Sequence, residues 1–125
     1  MVSRVGLSMP LVYTAVGKAI MARLGDEEIR RIWDSTEIIR KTEHTITDYE
    51  QFKAEINKVR AIGYATDLEE NENGVCCVAA ALDDVYGEYK YAFSVSAPTS
   101  RMDEHKLKKV SELVRATAEK ISNDQ

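Results

Sequence analysis

The sequence is poor in residues that cross-link a fold or perform chemistry: two cysteines and two histidines occur among 125 residues. Successive side chains of a strand point to opposite faces, so the neighbours Cys76 and Cys77 cannot form an ordinary structural disulfide. Neither cysteine lies in a recognisable spacing with His44 or His105 for zinc ligation or for activation as a thiolate. We therefore expect free thiols in a reducing compartment, no metal or cofactor, and no enzymatic activity.

The chain also lacks an excess of positive charge and any long apolar segment. Its 17 Lys and Arg against 21 Asp and Glu give a net charge of −4, which argues against nonspecific attraction to nucleic acid. The longest apolar runs fall far short of the roughly 20 residues that a membrane helix requires. No secretory signal is visible after Met1. We expect a cytoplasmic protein that has no membrane association and does not bind DNA by itself.

What is present fits one compact domain with a central antiparallel sheet. Three segments typical of strands, Tyr64 to Glu69, Val75 to Leu82 and Tyr89 to Ser96, are separated by turn-forming segments. Short turns force neighbouring strands to pair, which predicts a meander. The first ten residues of the chain, which include Val2 to Arg4, are expected to be extended or irregular.

Four helices are predicted around the meander: residues 11–24, Asp26 to Ser35 or Thr36, Thr47 or Asp48 to Gly63, and from Asp103 onward. Asp26 is expected to cap the second helix, and the third helix to cover one face of the sheet. In the last helix, Leu113 is expected to lie beside a buried apolar stripe. Gly17 inside the first helix indicates close approach of a backbone or a ligand, or else a tolerated accident.

The order of these elements predicts the α+β class, with an antiparallel sheet and flanking helices. A sheet of three strands leaves an edge exposed, and an exposed edge pairs readily with another strand. The missing partner would come from another chain or from a larger domain.

Several motifs resemble the effector-binding domain of IclR-type transcription regulators, and the resemblance extends from about Arg4 to Ile121. The matching segments are Arg4-Val5-Gly6, Pro10 to Ala19, Ile46-Thr47-Asp48, Gly63 to Asp67 with Glu70 and Gly74, Cys77 to Ala80, and Ser94 to Pro98. Two departures are Val12-Tyr13 before Thr14, where the family usually has His-Ala, and Asp83 at the end of the second strand. The winged helix-turn-helix and the start of the effector domain are not in this sequence, so residues 1–125 are expected to form a partial domain.

The resemblance implies a profilin- or GAF-like sensor domain, incomplete at its N-terminus, that binds a small carboxylate or aromatic metabolite. It also implies homodimers or tetramers, and contact with DNA only through an N-terminal winged helix-turn-helix. The family's effector pocket corresponds to Ala15 and Val16 in the first helix, Asp67 in the first strand, Cys77 in the second, and Ser94 and Ser96 in the third.

Simple chemistry is compatible with that pocket. Backbone N–H groups of residues 15–17 could hold a carboxylate, and the two serine hydroxyls could donate hydrogen bonds. An ionised Asp67 would repel an anionic ligand, so it would have to be protonated or accept from a ligand hydroxyl.

Without the resemblance, simpler interpretations remain open. Ser94 and Ser96 could lie on a solvated face, and the acidic cluster of Asp67, Glu69, Glu70 and Glu72 could be a solvated edge or a binding site for a cation or ligand. The alternative function is an assembly module in which the sheet edge or the last helix pairs subunits and the pocket is vestigial.

Overall fold

The computed structural model describes residues 2–4, 11–83 and 91–124. Its sheet contains β1 (Val2–Arg4), β2 (Ala65–Leu68), β3 (Val75–Ala81) and β4 (Tyr91–Pro98). The strands are all antiparallel neighbours in the order β1-β4-β3-β2, which confirms the meander. The predicted start of the third meander strand at Tyr89 lies outside the described residues. The sheet has one strand more than the predicted three, namely β1. Its pairing with β4 joins residues that are distant in sequence, and local composition does not reveal such a contact.

Within the described ranges, four α-helices accompany the sheet: α1 (Ala15–Met21), α2 (Asp26–Asp34), α3 (Tyr49–Ile62) and α4 (Glu104–Asn123). The predicted starts of α3 and α4 are confirmed: Asp48 and Asp103 are the N-cap residues, and their side chains accept hydrogen bonds from backbone N–H groups three residues later. α1 is shorter than predicted because Thr14 caps it: its hydroxyl accepts from the Gly17 N–H at 3.0 Å.

The predicted cap of α2 is wrong. Gly25 is the N-cap residue and supplies no side-chain hydrogen bond, while Asp26 is the first helical residue. The carboxylate of Asp26 instead lies 3.1 Å from Lys53 and 2.8 Å from Arg60, both on α3. A tertiary ion pair has therefore replaced the expected local hydrogen bond.

The face of the sheet that carries Ala65, Ala79, Ala81 and Ala92 packs against α1. These small side chains allow close packing, and all seven residues of α1 are buried. α3 was predicted to cover the sheet, but it is α1 that contacts β2, β3 and β4, and α3 contacts α1 in turn. This face therefore holds the main core.

The opposite face packs against α4. Val78 and Ala80 of β3, and Leu82 directly after it, point to this face and form a second cluster with Val114 and Ala118 of α4. Leu113 was expected to lie beside this buried stripe, yet its side chain is 64% exposed. Leu113 therefore lies on the side of α4 that the sheet does not cover.

Gly17 marks a close approach between two backbones. A Cβ atom built at this position would lie 2.1 Å from the carbonyl oxygen of Leu11. The sequence left open whether Gly17 approaches a backbone or a ligand, or is a tolerated accident. The structure shows that it approaches the backbone of Leu11.

Candidate functional site

The pairing of strands brings three of the predicted site residues into one row across the sheet. Asp67 on β2 lies opposite Cys77 on β3, and Cys77 lies opposite Ser96 on β4. Ser94 is two residues from Ser96 along β4 and therefore shares its face. All four lie on the face that packs against α1. We call Asp67, Cys77, Ser94 and Ser96 the polar row.

The residues of the polar row differ in their exposure to solvent. Asp67 and Ser94 are 5% and 3% exposed, Cys77 is half-buried, and Ser96 is exposed. Burial raises the pKa of the Cys77 thiol, and the Asp67 carboxylate adds to that increase, while hydrogen bonds with Ser96 and Ser94 lower the pKa in part. Cys77 is therefore a neutral thiol at physiological pH, which suits a pocket wall better than a nucleophile.

Asp67 also has a role in local structure. One of its carboxylate oxygens accepts hydrogen bonds from the Glu70 N–H at 2.8 Å and the Asn71 N–H at 3.3 Å, which closes the turn after β2. Burial raises its pKa, as does the nearby Glu70 carboxylate, and the two backbone hydrogen bonds and Lys18 only partly offset this. The protonated form is thus more accessible than for an ordinary aspartate.

Ala15 and Val16 begin α1 and are both buried in the core cluster against which Cys77 packs. Of the backbone donors considered for a ligand carboxylate, the Gly17 N–H is already bonded to the Thr14 hydroxyl. The structure therefore places Ala15 and Val16 on the same side of the sheet as the polar row, while the cap reduces the number of helix donors near them.

Sequence reasoning did not identify Lys18, which is fully buried within the apolar segment AVGKAIM. Its ammonium nitrogen lies 2.9 Å from a Glu70 carboxylate oxygen and 3.7 Å from Glu55. A lysine inside a segment whose other residues all face a core is the signal that could have revealed it. A solvated edge is thus the wrong interpretation for Asp67 and Glu70, which are both buried.

The segment before α3 holds the turn that carries Glu70. The Thr45 hydroxyl donates to the Glu70 carbonyl at 2.6 Å and accepts from the backbone N–H groups of Lys41 and Thr42. The Thr42 hydroxyl donates to the Glu69 carbonyl. Together with the ion pair to Lys18, these bonds fix the turn beside Asp67 of the polar row.

The cavities in the described part of the protein include these two. One, of about 360 Å³, lies between α3, β2 and α4, and the other, of about 270 Å³, lies between α1 and the end of α3. Neither is lined by any of the six predicted site residues.

Among the described residues, no group of three or more His, Cys, Asp or Glu could hold a metal ion. No helix within those ranges combines the length and apolarity needed to cross a bilayer.

Comparison with known proteins gives one consistent family. Residues 1–123 match the model of the family described as bacterial transcriptional regulator IclR C-terminal. The HTH-type transcriptional regulator KdgR of Escherichia coli K12 is 37% identical over 122 residues, covering 98% of this chain and 46% of KdgR. The chain spans less than half the length of the curated relatives it matches.

Solved structures show the same fold. The Thermotoga maritima IclR structure matches with a TM-score of 0.87 and 36% identity, over 99% of this chain and 50% of that one. A complex of a double mutant of the PobR inducer-binding domain from Acinetobacter with 3-hydroxy benzoic acid matches with a TM-score of 0.85 and 28% identity, over 94% of this chain and 67% of that one.

Proposed function

The chain belongs to the bacterial transcriptional regulator IclR C-terminal family, and from this membership we propose that it binds a small-molecule effector and couples its presence to DNA-binding domains. The winged helix-turn-helix that would contact DNA is outside this sequence. In this proposal the chain is a cytoplasmic sensor that works as a homodimer or tetramer and catalyses no reaction.

The polar row carries the proposal. It places a thiol, two hydroxyls and a carboxylate on the side of the sheet that also carries Ala65, Ala79, Ala81 and Ala92, so hydrogen-bonding groups lie beside an apolar surface. Small-molecule sites combine an apolar wall with a few polar groups that fix orientation. Ala15 and Val16 would close the site from the side of α1.

The chemistry of the row favours a small carboxylic acid or an aromatic compound with a hydroxyl group. Ser94 and Ser96 could donate to a carboxylate, and Asp67, with its raised pKa, could donate when protonated or accept from a ligand hydroxyl. The PobR domain bound to 3-hydroxy benzoic acid shows that a related domain accepts a molecule of this class.

Signalling would follow from differential affinity. A ligand shifts a conformational equilibrium only as far as it binds one state better than the other. Since α1 contacts three strands of the sheet, a ligand between α1 and the polar row would favour the state in which their separation admits it.

A second candidate is an assembly module whose pocket is vestigial. Two observations favour it: neither cavity is lined by the polar row, and Leu113 on α4 and Leu68 on the edge strand are 64% and 41% exposed. In this case the exposed apolar residues would pair subunits.

Thermal unfolding with a panel of small carboxylates and hydroxylated aromatics separates the two candidates. A ligand that binds only the folded state raises the midpoint. We expect at least one compound to raise it in the parent chain and in a Ser100→Ala control, whose serine is exposed and outside the row, but much less in Ser94→Ala. If no compound raises it while Leu113→Glu dissociates an oligomer, the assembly module is the better description.

A further inference from the structure

We propose a second small-molecule site, separate from the polar row, in the cavity of about 360 Å³ between α3, β2 and α4. The ligand class that fits is a compact organic acid with an apolar body. The inference does not depend on the proposed function, because it concerns the opposite face of the sheet and a different set of residues.

The cavity wall is mainly apolar. Tyr64, Thr66 and Leu68 alternate along β2 and its approach, so their side chains lie on the face opposite Asp67. Ile62 from α3 and Leu107 from α4 line the cavity from the two sides. The volume lies near the lower end of the range for small-molecule pockets, which limits the ligand to a single ring or a short chain.

Ser111 gives the cavity a polar group that the fold itself does not use. It lies on the wall, is 1% exposed, and its hydroxyl has no hydrogen-bond partner among the described residues. Buried polar groups in native proteins are nearly always satisfied, and an exception calls for an explanation. A carbonyl, hydroxyl or carboxylate oxygen of a bound molecule would satisfy this hydroxyl.

Two lysines at the cavity offer positive charge to an anion. Lys58 and Lys108 line it from α3 and α4, and within the ranges described neither has a carboxylate within 4.0 Å. Glu55 also lines the cavity and lies 3.7 Å from the buried Lys18, but it shares that lysine with Glu70, which is closer at 2.9 Å. The lining thus carries two ammonium groups and two carboxylates, and each of the two lysines without a carboxylate neighbour could pair with a ligand carboxylate.

Glu55 also connects the two faces of the molecule. It pairs with Lys18, which pairs with Glu70 at 2.9 Å, and the Glu70 N–H donates to Asp67 of the polar row at 2.8 Å. An anion in the cavity would thus act on a charged network that ends in the first candidate site.

The test is a titration of the ¹⁵N-labelled 125-residue chain with benzoate and with hexanoate, using benzamide and hexanol as neutral comparators. We expect one of the acids to shift the amide signals of Thr66, Leu107 and Ser111 saturably in the millimolar range, and its neutral comparator to bind more weakly. Absence of saturable shifts with either acid, or shifts confined to Cys77 and Ser94, would overturn the proposal. The latter result would leave the proposed function intact.

Three variants give the site its controls. Leu107→Trp should fill the cavity and abolish the shifts, whereas Leu113→Trp, on the exposed side of the same helix, should leave them unchanged. Ser111→Ala should weaken binding about tenfold by removing one hydrogen bond, without lowering the melting temperature of the ligand-free chain. A Ser111→Ala variant that melts earlier but binds normally would show that the hydroxyl serves the fold, and would contradict the proposal.

Discussion

Lys18 and Glu70, 52 positions apart in the chain, are joined by a 2.9 Å ion pair in the interior of the protein. The lysine side chain is completely buried and the glutamate side chain is 11% exposed. Glu70 also accepts a hydrogen bond from the Leu68 N–H at 3.1 Å, so the pair connects α1 to the end of β2. A charge in this position must be balanced, because removing one partner leaves the other buried and unpaired.

Replacement of Lys18 by methionine should therefore lower the free energy of unfolding by about 3–5 kcal/mol, as measured by urea denaturation. The double variant Lys18→Met/Glu70→Gln keeps an acceptor for the Leu68 N–H and removes the unpaired charge, so it should recover much of that loss. A matched control, Lys53→Met, breaks a pair whose carboxylate, Asp26, is exposed and still pairs with Arg60, so it should cost less than about 1 kcal/mol. Equal losses in Lys18→Met and Lys53→Met would contradict this account.

Gly17→Ala should destabilise the protein by about 3 kcal/mol, because its methyl group would meet the Leu11 carbonyl oxygen at 2.1 Å and backbone cannot move aside as a side chain does. Gly25→Ala is the matched control: nothing lies within 4 Å of the added carbon, and the expected loss is within about 1 kcal/mol. Thermal unfolding of both variants provides the comparison. The prediction fails if the two variants melt together.

The raised pKa of Asp67 gives a pH dependence of defined sign. The folded state binds its proton more tightly than the unfolded state does, so the stabilising contribution is complete below pH 3.8 and is lost as pH rises through the folded-state pKa. Asp67→Asn keeps an oxygen acceptor for the Glu70 and Asn71 N–H groups without the charge. Its melting temperature relative to the parent chain should rise between acidic and neutral pH. A difference that stays constant or shrinks would show that ionised Asp67 is well accommodated.

Cys77 should react slowly with iodoacetamide, because burial raises its pKa above 9.0 and leaves little thiolate at neutral pH. In a Cys76→Ala background, alkylation of the folded chain should be slower than that of the urea-unfolded chain at the same pH, and should accelerate as pH increases. An effector bound at the polar row should slow it further. Fast alkylation of the folded chain at neutral pH would argue for an activated thiolate instead.

Much of the fold could be predicted from local signals in the sequence. Asp48 and Gly63 at the two ends of α3 and Asp103 before α4 are local signals, and the structure confirms them. Turn residues likewise define the meander, since Gly74 adopts the left-handed conformation that a turn there requires.

Other features depend on contacts that no local pattern contains. β1 forms a strand because it pairs with β4, which is distant in sequence. Asp26, which was predicted to cap α2, instead forms ion pairs with α3. The helix that covers the sheet was misassigned because α1 and α3 both carry apolar residues, and only packing decides which of them lies inside.

The candidate site shows the same division. Alternation along a strand predicts that Ser94 and Ser96 share one face. Whether Cys77 lies on that same face depends on the register between β3 and β4, which the sequence does not specify and which places Cys77 opposite Ser96. The roles of the six residues in binding stay a prediction. Lys18 was missed because periodicity treats a charged residue in an apolar helix as solvent-facing.

The complete burial of α1 has a consequence for how the molecule would respond to a signal. A helix enclosed on every side cannot open by itself, so its amide protons can exchange with deuterium only when a larger unit of the protein opens. The amide protons of α1 would then be among the slowest to exchange. A signal from the polar row would be transmitted by a small rigid-body displacement of α1 rather than by local unfolding of a loop.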